Sequence, residues 1–205
     1  MDKVKCIEYR GIRDLVAAEV LTDTKEEFTC GTPFSVAWSS ELSRETESSS
    51  ESRYYDNIPA IVIDATGADT VSISTSAVPL DVYAKITGQY YDENIGMLVE
   101  GECESKYYAI GYVTEDTAGE EVYVWRLKGK FSIPSETHAT KNNGTDANGQ
   151  SLTYTGVSTA HVFAKRSKTE RAISCLKSKC PLSEQEFFTS VQTPDTVTEA
   201  GAVQG

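Results

Sequence analysis

Few side chains in this chain could do chemistry, and none stands in a recognised reactive pattern. There are two histidines, His138 in a polar stretch and His161 within an apolar one. Neither neighbours a serine or cysteine in a nucleophile motif, and both read as structural or solvated. Asp92-Glu93 and the cluster Glu100, Glu102, Glu104 contain enough carboxylates for acid–base work. That work needs two carboxyl groups held in a cleft with separated pKa values, and a charged hairpin rim is the simpler reading. Cys175 and Cys180 are separated by four residues. Zinc sites usually use tighter cysteine pairs joined by a second pair, and no second pair exists here. No glycine-rich loop opens a helix after a strand, so phosphate binding has no support. The remaining unusual chemistry is cationic: Arg126, Lys128 and Lys130 alternate along EVYVWRLKGKFSIP, residues 121–134.

That segment alternates longer than any other. One face would carry Tyr123, Trp125, Leu127 and Phe131, which are predicted core residues; the other would end in the three cations. It forms a hairpin with SKYYAIGYVT around residues 115–119. Earlier strands are expected at residues 14–21 and 33–40, the second placing Phe34, Val36 and Trp38 on one core-facing side. Others fall at 58–64, 69–76 and 151–164. A helix over SAVPLDVYAKITG has Pro79 in its first turn and Gly88 as its stop, with Leu80, Tyr83, Ala84 and Thr87 on the face against the sheet. Ser183 and Glu186 have capping-box spacing for a short helix over 183–190.

Residues 41–57, ELSRETESSSESRYYDN, show no hydrophobic period before Tyr54. They hold five acidic residues, two basic ones and five serines. They read as a long surface loop, either disordered or ordered only against a partner. The whole is mainly β: a sandwich or barrel with one short helix packed on the sheet, a long loop and terminal extensions. Residues 1–164 form the predicted domain, and 165–205 a C-terminal extension ending in a mobile tail.

With 205 residues there is ample chain for a core. The net charge of -12, from 31 acidic and 19 basic residues, argues against a free-standing nucleic-acid binder. No apolar run is long enough to span a bilayer, and the first residues lack a signal-peptide pattern. Synthesis in a reducing cytosol is therefore expected, with Cys6, Cys30, Cys103, Cys175 and Cys180 as free thiols, several of them buried.

Four stretches resemble the major tail proteins of long-tailed, non-contractile bacteriophages. They are GIRDLVAAEVLTDTKEEFTCGTP, SRYYDNIPAIVIDATGADTVSISTSAVPLDVYAKITG, KYYAIGYVTE and YVWRLKGKFSIPSETHATK. The last two are the most specific, through the aromatic-Val-Trp, Lys-Gly-Lys-Phe and the proline before a polar loop. The resemblance covers about residues 8–164; it departs at the Cys175–Cys180 segment and the acidic tail, and Cys30 replaces an aromatic residue.

The resemblance implies a tail-tube β-sandwich whose subunits stack as hexameric rings into a hollow tube through which DNA passes without specific binding. It implies no catalysis, no cofactor and no metal. The partners it implies are further copies of the chain, a tape-measure protein and tail-end proteins, with no membrane. The location would be the virion tail after assembly in the host bacterial cytoplasm. Candidate ring and stacking contacts in the long loop are Arg44, Glu45, Glu47, Glu51, Arg53, Tyr54, Tyr55 and Asp56, with the 142–150 loop and the chain ends as further candidates. Arg126, Lys128 and Lys130 are then expected at a subunit contact, facing acidic residues. The competing reading is a non-catalytic tail-terminator, decoration or adhesion module, with Tyr54, Tyr55, Tyr90 and Tyr91 forming a binding patch. An enzyme using a carboxylate pair is the third.

Overall fold

A computed structural model of the chain describes residues 6–140 and 148–198. In order these form β1 (Tyr9–Asp23), β2 (Phe28–Cys30), β3 (Phe34–Ser35), β4 (Ser39–Tyr55), β5 (Ile58–Thr75) and α1 (Leu80–Thr87). Then follow β6 (Tyr90–Asp92), β7 (Met97–Val99), β8 (Tyr108–Asp116), β9 (Glu121–Phe131), β10 (Ser135–Glu136), β11 (Gln150–Gly156), β12 (Ala172–Leu176) and α2 (Glu184–Thr189). The main sheet runs β2-β1-β8-β9-β11-β5-β4, with β3 beside β1, β12 beside β9 and β10 beside β11. Its pairings are antiparallel, and it curls into a half-barrel that brings β1 near β4. β6 and β7 form a separate small hairpin.

Around β1, β8 and β9 both faces of the sheet are covered, whereas β5 and β11 bury only one. The concave core gathers Leu15, Val71, Ile73, Ile110, Tyr112, Leu152 and Tyr154, closed at one end by Tyr83 and Ile86 of α1. Leu80 of that helix is exposed, and Ile86 takes the expected inward place. Its register follows from the sheet: Tyr108 Oη donates to the Lys85 carbonyl at 2.5 Å, and Gly88 ends the helix in the left-handed conformation at φ 71°. The convex core gathers Ala109, Val113, Tyr123, Trp125, Leu127, Phe163 and Phe187. β8 therefore has side chains buried on both faces, which is why YAIGYV reads as a continuous apolar run.

The C-terminal segment is part of this structure and not an appendage beyond residue 164. β12 pairs along β9 from Val122 to Arg126. α2 has a reciprocal capping box between Ser183 and Glu186, and it places Phe187 at 0% exposure beneath the convex face. The Trp125 indole donates to the Phe187 carbonyl at 3.0 Å. Gln192 and Thr193, in the expected mobile tail, are buried; the final residues of that tail lie outside the described ones. Arg13 on β1 ties α2 down through Glu184 and Glu121. The predicted strand over 151–164 ends at Gly156, where the chain turns away to feed β12. Trp38 is corrected outright: it is 86% exposed, because it sits in the break between β3 and β4 where alternation no longer applies.

Candidate subunit interface

The stretch expected as a loop over 41–57 is instead mostly β4, paired with β5 along its whole length. The first part, up to Thr46, lies in the sheet, because the matching part of β5 is bonded on its other edge to β11. Between the Thr46–Asp69 and Ser48–Thr66 pairs the register slips, and Gly67 occupies the extra position. A Cβ there would lie 2.6 Å from the Glu47 carboxylate and 2.9 Å from its Cβ, so a larger residue would have to displace that side chain.

Beyond the bulge the two strands have only each other as partners among the described residues. They form a free arm about 25 Å long at ~3.3 Å per residue. It closes through Asp56 (φ 50°) and Asn57 (φ 63°), the two left-handed positions of a tight hairpin turn whose twist matches the strands. The change along β5 is sharp. From Asp69 to Thr75 burial alternates strictly, whereas residues 61–67 are all exposed. Ile58, Ile61, Val62, Ile63 and Tyr54 all lie on the arm in water. Because Ile61, Val62 and Ile63 are consecutive, both faces of the arm are apolar. A lone two-stranded ribbon is marginal in water, and apolar surface of this kind marks an interaction site.

Of the predicted contact residues, Glu47, Glu51, Arg53, Tyr54 and Asp56 are on the arm and exposed, while Arg44 and Glu45 lie at its root. Tyr55 ends β4, and its side chain lies outside what the structure describes, as do residues 142–147 of the second candidate loop and the extreme chain ends. Tyr90 and Tyr91 belong to β6 and not to the arm carrying Tyr54.

The three cations of β9 do not share a face. Opposite β8 the register slips, so that Tyr108 faces Gly129 while Ile110 faces Arg126. The extra residue reverses the alternation: Val124 and Phe131, of opposite parity, both join the concave core. Gly129 is required after the slip, since a Cβ would lie 2.3 Å from the Tyr154 ring. Arg126 therefore points into the concave side, 5% exposed, and meets Asp69 at 2.6 Å. Arg171 binds the other Asp69 oxygen at 2.7 Å, the Thr46 hydroxyl donates to it at 2.8 Å, and Arg44 approaches at 4.0 Å. Burial opposes the charge on Asp69, but Thr46 and the two close arginines outweigh it and hold the carboxyl below its ordinary value.

Lys128 meets Asp23 at 2.5 Å, and the amides of Ala160 and His161 donate to the same carboxylate. Burial again opposes ionisation, and Lys128 with those amides keeps the Asp23 pKa low. The Lys128 and Lys130 ammonium groups lie 4.6 and 4.5 Å from the centre of the Tyr107 ring. Arg126 and Lys128 thus each have a carboxylate partner within their own chain.

A cleft of about 620 Å³ opens on the concave side, between the start of β1 and the start of β4. Its floor is Tyr112, Val122, Val124 and Arg126, and its walls carry Arg10, Ile12, Leu42 and Arg44. Sequence reasoning missed this cleft, because β1 and β4 residues such as Ile12 and Leu42, far apart in the chain, meet only when the sheet curls. The strand expected over IPAIVID is present as the first part of β5, but its apolar run faces water, which the sequence does not distinguish from burial.

His138 is exposed beside Glu136, and His161 packs on Phe163. Among the described residues no group of histidines, cysteines and carboxylates could hold a metal ion, and no helix is long and apolar enough to cross a membrane. Comparison with known families finds that the model for phage tail tube proteins matches residues 46–172, from the arm to the first residue of β12. No curated protein matches the chain in sequence.

Proposed function

The chain belongs to the phage tail tube proteins, and from that premise we propose that it polymerises as stacked hexameric rings into the hollow tube of a long, non-contractile tail. It is a structural component of the virion tail. The observation that carries the polymer reading is the arm. It is a paired ribbon with isoleucine and valine in water on both faces, and burial against a neighbouring copy is what would stabilise it. A contact between an arm and a different surface of the next copy is head-to-tail, and such contacts generate rings or filaments.

The tube serves as the conduit for genome DNA. A net charge of -12 per subunit repels phosphate, and an enclosed pore concentrates that field, so the duplex slides without sticking. Tape-measure and tail-end proteins are the further partners of this reading, and the role is structural with no catalytic step.

The test is negative-stain electron microscopy of purified protein at rising concentration, alongside virions labelled with an antibody to the chain. Tubes of uniform diameter, labelled along the tail, are expected. A monomer at every concentration together with unlabelled tails would overturn the proposal. A small closed oligomer found only at one tail end would move the assignment to a tail terminator.

A further inference from the structure

We propose that the cleft between β1 and β4 is the receptor for the arm of a second copy of this chain. This rests on the tube reading and names the surface that the arm enters. The cleft is bounded by two strand edges that lack partners among the described residues. β1 from Tyr9 to Arg13 pairs with β8 alone, and β4 pairs with β5 alone. Open edges of this kind take up an extended segment through main-chain hydrogen bonds.

The side chains match as well. The cleft combines apolar Ile12, Leu42, Tyr112, Val122 and Val124 with Arg10 and Arg44, against a single acidic lining residue, Glu41, while Arg126 in its floor is already paired with Asp69. On a chain of net charge -12 this is a locally positive concavity. The Arg126 Nε is buried without a hydrogen-bond partner, which leaves a donor unsatisfied in the cleft floor. The arm has the complementary make-up. Residues 47–66 carry Glu47, Glu51, Asp56 and Asp64 against Arg53, together with the exposed Ile58, Ile61, Val62 and Ile63. An acidic apolar ribbon therefore faces a basic apolar cleft whose edges are open. Arm and cleft are different surfaces of one chain, so their union repeats from copy to copy.

Two measurements on the full chain test this. First, p-benzoylphenylalanine is placed at Ile61 and tubes are irradiated; cross-links to peptides containing residues 9–12 or 40–44 of a neighbouring copy are expected. Second, charges are exchanged. R10E/R44Q in the cleft, or E51K/D64K in the arm, should each slow tube formation by about tenfold or more while thermal melting of the monomer stays unchanged. Both changes in one chain should restore the rate to within about threefold of the original. Tubes that form normally but cross-link Ile61 only to other surfaces, or a combined variant no better than its parents, would overturn the cleft assignment and leave the tube reading intact. If the unaltered chain forms no tubes and tails are unlabelled, the tube reading fails first and takes this inference with it.

Discussion

At the scale of single residues, the molecule is organised by two buried carboxylates. Asp69 gathers Arg126 and Arg171, and Asp23 gathers Lys128 with two backbone amides. Both carboxyls titrate below their ordinary value of 3.8 in the folded chain. A carboxyl depressed by folding contributes stability above its unfolded pKa and loses it as pH falls through the folded one. Urea unfolding followed from pH 7 downward should therefore show a plateau to about pH 4 and a fall below it. In Asp69→Ala that fall should be smaller, and stability at pH 7 lower by about 3–5 kcal/mol, since two guanidinium groups lose their counter-charge. Lys128→Glu sets a carboxylate against Asp23. It should lower the urea midpoint of the monomer directly, whereas unchanged monomer stability with lost assembly would place Lys128 at a subunit contact.

At the scale of elements, the arm is where sequence and structure part most clearly. β8, β9 and their hairpin are legible because their alternation and turn chemistry agree, and Tyr123, Trp125, Leu127 and Phe131 are indeed buried. β4 is not legible, because its strand character comes from pairing with β5 and not from any buried face. A serine-rich strand with water on both sides has no period to read. The turn left a trace in Asp56-Asn57, the two residue types other than glycine that best tolerate positive φ. The slip in β9 left only Gly129, too little to reveal that the cations divide between two faces. Because the arm has no partner among the described residues, trypsin should cut after Arg53 readily in the monomer. In assembled tubes the same cut should slow by about tenfold or more, as the open population falls. Equal cleavage in both states, read by mass spectrometry, would show that the arm is not at an interface.

At the scale of the whole molecule, the C-terminal segment closes the convex core. Phe187 and Phe188 pack against Tyr123 and Trp125 with their rings tilted by 44°, the centroids 5.4 Å apart for Tyr123 and Phe187 and 5.7 Å for Trp125 and Phe188. Phe187→Ala should cost about 3–5 kcal/mol in urea unfolding. Trp38→Ala, at a large but exposed aromatic, should change stability by less than about 0.5 kcal/mol. The reverse order would mean that the convex face is not a core. The sequence hinted at α2 through its capping box, but which face it covers depends on a chain reversal after Gly156 that carries no local signature. The sheet is in effect a partition wall with furniture against both sides, and β9 runs through its middle. Its residues face one core or the other, or hold a buried ion pair, so almost none is free to vary without consequence. In a saturation mutagenesis screen selecting for folded protein, β9 should form a continuous band of intolerance, while Ser48, Ser49 and Ser50 accept most polar replacements. The strand that looks most alternating in the sequence is thus the one with no outward side left for drift.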